Sequence, residues 1–176
     1  IFQGAGRRAG WEPRPGEGHL DALLRSTVLT ELGNYGDQGT LDEAAARFAR
    51  YVEDETSVPA DLRSVVFGLA AKRGDRSTYD AMWGLQRRAT LQEEKVRLLS
   101  SLARFEVPQL LQETLQRSLD TADVRTHDTV RVVSAVASNR LGRDMAWDFV
   151  KSNWPELDRR YGDGKFALMQ LVSITS

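Results

Sequence analysis

Thr90 to Leu119, TLQEEKVRLLSSLARFEVPQLLQETLQRSL, holds two apolar stripes of one helical period with a proline between them. Leu91, Leu98, Leu99, Leu102 and Phe105 recur at the spacing that lines one face of a helix, and Leu110, Leu111, Thr114, Leu115 and Leu119 do so again after Pro108. Thr90 followed by Glu93 predicts a capping box at the first helix start, where each side chain satisfies an orphan amide. Pro108 suits the first turn of the second helix, because its missing N–H would have no partner there. The stretch therefore reads as a helical hairpin.

The same unit recurs on both sides. Upstream, Leu62, Val65, Val66, Leu69 and Ala70 predict a helix ending at Lys72-Arg73-Gly74, with a left-handed glycine cap. Ser77 with Asp80 then predicts the start of its partner, which carries Tyr79, Met82 and Trp83. Earlier still, Leu20, Leu23, Leu24, Thr27 and Val28 form a stripe that breaks at Gly33-Asn34-Tyr35-Gly36. Thr40 with Glu43 predicts another capping box, ahead of Leu41, Ala44, Ala45, Phe48 and Val52. Downstream, Thr126 opens a helix through Val130, Val133, Val136 and Ala137. The β-branched run Val130-Arg-Val-Val133 admits a strand, but the Val136/Ala137 pair continues the 3.6 period and favours helix.

Helix starts near Pro59, Thr90 and Arg125 step by about 31 and 35 residues, and their partners near Ser77, Pro108 and Gly142 step similarly. That is the spacing of paired-helix repeats, each of which needs a neighbour to bury its apolar face. The expected fold is all-α, a right-handed superhelix of paired antiparallel helices of HEAT or armadillo type. Residues 1–18 read as a linker and lead-in segment, and 19–176 as one helical-repeat domain truncated at both ends.

Composition limits the chemistry. The 24 basic and 25 acidic side chains nearly cancel, so no global charge draws the chain to nucleic acid or an anionic membrane. Apolar runs such as Ser64 to Ala71 are far shorter than a membrane span. The chain has no cysteine, which removes disulfides, thiol nucleophiles and thiolate metal sites. Its two histidines, His19 and His127, stand far apart and outside any H-E-x-x-H arrangement, so no metal ligand set is assigned. No G-x-S-x-G or phosphate-binding glycine loop occurs. The acid pairs Asp42-Glu43 and Glu93-Glu94 fall in predicted first turns, where capping and dipole compensation account for them. His127 beside Asp128 is assigned to a helix start, since neighbours on a helix diverge by about 100°. No catalytic residue is assigned.

Several stretches together resemble one family. GWEPRPGEGHLDALLR at 10–25 is similar to the start of the C-terminal helical domain in the puromycin-sensitive branch of the M1 zinc aminopeptidases. Ala60 to Phe67, Glu94-Lys95 with Leu102 to Arg104, Val124 to Thr129, Gly142-Arg143, Ala146 to Phe149 and Asn153-Trp154 follow in family order. The sequence departs at Pro155, where relatives commonly carry an acid, and at His127, where they usually carry glutamine.

The resemblance implies a cytoplasmic metallopeptidase that removes N-terminal residues from peptides, with zinc and its ligands in a separate catalytic domain. This chain would close over the active-site chamber and help bind and select peptides, without catalysis of its own. Its implied partners are the remaining domains of the same aminopeptidase and peptide substrates, with neither nucleic acid nor membrane. Arginines facing such a chamber would attract the far carboxylate of a peptide. Arg104 is the leading candidate, because some relatives carry arginine at the matching position; the competing reading is compensation of the helix dipole in a last turn. Arg63, Arg97 and Arg131 rank behind it, since arginines beside apolar stripes usually serve the structure. The alternative function is a non-catalytic helical-repeat adaptor that binds a peptide or protein in a concave groove.

One segment, Gly142 to Gly164, spaces Trp147, Val150, Trp154, Leu157 and Tyr161 like a heptad. Pro155 predicts that the helix stops near Asn153 and restarts. The tryptophans are then expected to wedge between successive helices.

Overall fold

The computed structural model describes residues 10–13, 15–162 and 169. Nine helices and no strand occur among them: α1 His19–Asn34, α2 Gln38–Glu53, α3 Ala60–Arg73, α4 Arg76–Arg88, α5 Gln92–Leu102, α6 Pro108–Arg117, α7 Thr126–Ala137, α8 Arg143–Ser152 and α9 Trp154–Tyr161. The chain is all-α, as its periodicity predicts, and Val130 to Val133 lie within α7. It divides into two compact units, one ending at Gly74 and the other beginning at Asp75.

In the first unit α3 is the hub. Leu62 and every residue from Val65 to Ala71 are buried, so α3 has an apolar surface broad enough for α1 and α2 to pack on it together. Phe67 meets Phe48 and Tyr51 edge to face, with ring centroids 5.9 and 4.9 Å apart. Gly33 is buried because α1 crosses close to α3: a Cβ there would lie 2.4 Å from Leu69 Cδ2.

That close approach overturns the predicted stripe of α1. The buried residues are Arg25, Leu29, Leu32 and Gly33, whereas Leu20, Leu23 and Leu24 are 78%, 51% and 60% exposed. The helix is apolar on two sides, and the glycine selects which side meets α3. The capping expectations also shift. Asp37, not Thr40, caps α2 by accepting the Thr40 N–H at 2.9 Å, and Asp75, not Ser77, caps α4 by accepting from Thr78 at 3.0 Å. Helix α5 starts at Gln92 with Leu91 as its cap residue and no side-chain cap, so the Thr90–Glu93 box does not form. Gly74 is extended, at φ −70° and ψ 151°, rather than left-handed.

In the second unit sequence neighbours pack as pairs, α4 with α5, α6 with α7 and α7 with α8, while α5 also meets α7 and α6 also meets α8. The polar bonds between repeats keep a nearly constant sequence separation. Tyr79 and Thr114 hydroxyls bond at 3.1 Å across 35 residues, and Arg76 reaches Glu113 at 2.8 Å across 37. Arg87 reaches Asp123 at 2.7 Å across 36, and Gln92 reaches Asp128 at 3.1 Å across 36. These are the contacts a stacked hairpin repeat requires, each side chain touching its counterpart one repeat on.

Helix α8 ends at Ser152 and α9 begins at Trp154, with Pro155 in its first turn. The expected wedge role of the tryptophans is corrected here. Val150 and Leu157 are the buried members of the heptad, while Trp147 and Trp154 remain 37% and 40% exposed. Helix α9 is held instead by Leu157 and by two bonds at its end: Arg160 donates to the Leu119 carbonyl at 2.7 Å, and Tyr161 donates to the Thr126 carbonyl.

Candidate functional site

The faces of α6 and α8 that turn toward each other do not close completely. Gln112, Leu115, Gln116 and Leu119 along the α6 side, and Met145, Asp148, Phe149 and Ser152 along α8, each follow i, i+3, i+4, i+7 spacing. Between them lies an open groove of about 480 Å³, completed by Asn153. Its apolar floor of leucine, methionine and phenylalanine sits among amide and hydroxyl groups able to bond a peptide main chain. Asp148 is its charged residue, and Lys151 pairs with that carboxylate at 2.8 Å. The sequence reading missed this groove, although both spacings are visible in the sequence.

Arg104 lies just beyond α5 and is half-buried, with its N–H bonded to the Ser101 carbonyl at 2.9 Å. Its flanking backbone is fixed from the next repeat: the Asn139 side-chain amide donates to the carbonyls of Ala103 and Phe105 at 2.9 and 3.0 Å. Asn139 turns the same side chain back to accept the Leu141 N–H at 3.0 Å. Sequence reasoning passed over Asn139; its signal was an asparagine at the end of an apolar helix, where such residues form local turns.

The other three arginines have different settings. Arg97 pairs with Glu93 at 2.7 Å and also with Glu94, which is buried. Arg63 donates to the carbonyls of Val58 and Glu55, each at 3.1 Å, and lies over the Tyr51 ring at 5.2 Å. Both are occupied in holding their own unit. Arg131 is exposed on α7. Arg97, Arg104 and Arg131 belong to the second unit and Arg63 to the first.

The acid pairs are engaged as well. Asp42 accepts from Arg73 at 3.0 Å, and Glu43 accepts from Arg47 at 2.8 Å. Buried Asp128 accepts from Gln92 at 3.1 Å and Arg125 at 3.4 Å, while exposed His127 stands 3.9 Å away. That distance is no hydrogen bond, so His127 and Asp128 do not form a base with its orienting partner. Bonds from Arg87 hold Asp123 below the usual carboxylate range against the opposing effect of burial. Burial opposes ionisation of Glu113, but the bonds from Arg76 and Arg117 outweigh it and lower its pKa. These perturbed carboxylates are parts of the repeat-to-repeat ladder and are not among the residues lining the groove between α6 and α8. Among the described residues, no group of three histidine, aspartate or glutamate side chains is placed to hold a metal ion, and no helix is long and apolar enough to cross a membrane.

Relatives match most of the length of the chain. Aminopeptidase M1 of Arabidopsis thaliana is 34% identical over 98% of this chain and 20% of its own length. Aminopeptidase M1-A of Oryza sativa subsp. japonica is 35% identical over 84% of the chain and 17% of its own length. Aminopeptidase A of Gloydius brevicauda is 33% identical over 89% of the chain and 16% of its own. The chain thus spans about a fifth or less of the relatives it matches. The model of the ERAP1-like C-terminal domain matches residues 1–176, and the chain belongs to that family.

Proposed function

We propose that this chain is the C-terminal helical domain of a zinc-dependent M1 aminopeptidase, in which it closes over the active-site chamber and helps to bind peptides. The observation that carries the reading is the match of the entire chain to the ERAP1-like C-terminal domain, together with relatives called aminopeptidases of which it spans about a fifth. The zinc, its ligands and the bond cleavage belong to the catalytic domain of the longer protein, and this chain supplies no catalytic group. Residues 1–18 are the lead-in to the helical repeats, and the enzyme is cytoplasmic.

Arg104 is the residue through which the domain acts on substrate. A guanidinium binds a carboxylate with two parallel charge-assisted bonds, so it suits the C-terminal end of a peptide whose N-terminus is at the zinc. Support comes from its backbone, which Asn139 fixes on both sides, since a charged anchor is useful only where its position is defined. Arg131, exposed on α7, is a secondary contact. Arg63 and Arg97 contribute less, because arginines beside apolar stripes usually serve the structure, as these do through carbonyls and through Glu93 and Glu94.

The test is Arg104→Ala in the full-length protein, assayed on peptides of increasing length and on a single-residue chromogenic amide. Loss of one charge-assisted anchor should raise KM for long peptides about 10-fold, near 1.4 kcal/mol, and leave the short amide unchanged. Equal effects on both substrates, or none on either, contradict the assignment. A groove-binding adaptor without catalysis is the competing reading, and it requires the full-length protein to lack peptidase activity.

A further inference from the structure

Helix α1 has two apolar sides. At about 100° per residue, Leu20 and Leu29 point in opposite directions. Leu29, Leu32 and Gly33 are buried against the rest of the first unit, while Leu20, Leu23 and Leu24 gather on the opposite face within the first turn and a half. A helix apolar on both sides is a helix built to lie between two layers. Only one layer is present among the described residues.

The lead-in to this helix is pinned. Trp11 stacks with Arg47 at 5.0 Å, Glu12 accepts from Arg47 at 2.5 Å, and Glu17 pairs with Arg25, which is buried. In a protein of the relatives' length, polypeptide joined ahead of this chain is tethered to the same unit that carries the leucine face. Tethering raises the effective concentration of such a neighbour to the millimolar range. Three leucines make a patch of at most a few hundred Å². A stable complex between separate molecules buries about 800 Å² per partner, so the patch suits a tethered layer better than a second copy.

We propose that Leu20, Leu23 and Leu24 form a docking face for an apolar surface of the same longer polypeptide, outside the 176 residues of this chain. The inference rests on the reading of the chain as one domain of a larger protein. It assigns to α1 the role of seating the helical domain on its neighbour, as distinct from contacting substrate.

Hydroxyl-radical footprinting of leucine side chains tests it on the full-length protein and on this 176-residue chain at matched concentration. In the full-length protein, oxidation of Leu20, Leu23 and Leu24 should slow about tenfold relative to this chain, with Leu91, also exposed, as a reference. Equal oxidation in both overturns the proposal. Protection in this chain that disappears on dilution assigns the face to a second copy and also overturns it. Protection in this chain that survives dilution assigns the face to the chain's own residues, and it too overturns the proposal. The readout is independent of catalysis: absence of peptidase activity from the full-length protein would refute the proposed function and leave the footprint to be judged by itself.

Discussion

Trp83 and Trp147 stand one in each of two helices of the same unit, and they have opposite fates. Trp83 is 1% exposed in α4, edge to face with Tyr79 at 6.3 Å and beneath the Arg117 guanidinium at 5.1 Å. Trp147 is 37% exposed in α8, with Lys151 over its ring at 5.6 Å. The difference lies in what faces each helix. Tyr79 and Phe105 pack around the first, with Thr114 and Glu113 of the next repeat bonded alongside, whereas α8 turns one side to an open groove and leaves Trp147 outward. An aromatic residue therefore reports the neighbours its helix has acquired, and hydrophobicity by itself does not place it.

Substitution of the two tryptophans puts this contrast at most risk. Trp83→Ala should cost about 3–5 kcal/mol in urea unfolding, because it removes a large buried ring and leaves a cavity. Gly142→Ala should cost about 1–3 kcal/mol, since the new Cβ would lie 2.2 Å from the Val136 carbonyl oxygen and force the start of α8 away from α7. Trp147→Ala should stay within about 0.5 kcal/mol, the usual range for an exposed site. A Trp147→Ala loss as large as that of Trp83→Ala would mean that the outer side of α8 is covered.

A smaller effect is expected at α9. Bonds from Arg159 and Arg160 lower the Glu156 pKa from 4.5 to about 2. Because the native value lies below the unfolded one, the stabilisation is complete above pH 4.5 and is lost as pH falls toward about 2. A carbon-13 titration of the Glu156 carboxyl checks this: the midpoint should lie near pH 2 and return toward the ordinary glutamate range in Arg160→Gln. A native midpoint near 4.5 would show that the two arginines do not hold the carboxylate.

The helical class and the repeat period were legible because they depend on spacing along the chain. Val130, Val132 and Val133 are β-branched yet helical, since the period continues to Val136 and Ala137 and outweighs local propensity. Pro108 and Pro155 marked first turns, since proline acts through its own backbone. Caps were less legible. Several Asp, Ser and Thr residues stood near each start, and loop geometry, not composition, chose Asp37 over Thr40 and Asp75 over Ser77. The buried side of α1 was illegible by periodicity, because leucines occur on both faces and only the contact of Gly33 with Leu69 decides between them.

The candidate site was legible in part for the same reason. Arg97 follows Glu93 by four residues and Glu94 by three, so its ion pairs were readable as helix-face neighbours. The setting of Arg104 was not, because it depends on Asn139, 36 residues from Ala103 and one repeat away. The groove between α6 and α8 likewise arises from two short spacings whose juxtaposition belongs to the tertiary fold.

On the proposed reading, this domain shapes peptide binding while the chemistry resides elsewhere in a zinc aminopeptidase. That division of labour is measured by the turnover of an N-terminal fluorogenic amino-acid amide by this chain and by the full-length protein, each with and without a zinc chelator. No turnover by the chain and chelator-sensitive turnover by the full-length protein are expected. Robust turnover by the chain alone, or none by the full-length protein with zinc restored, would contradict it.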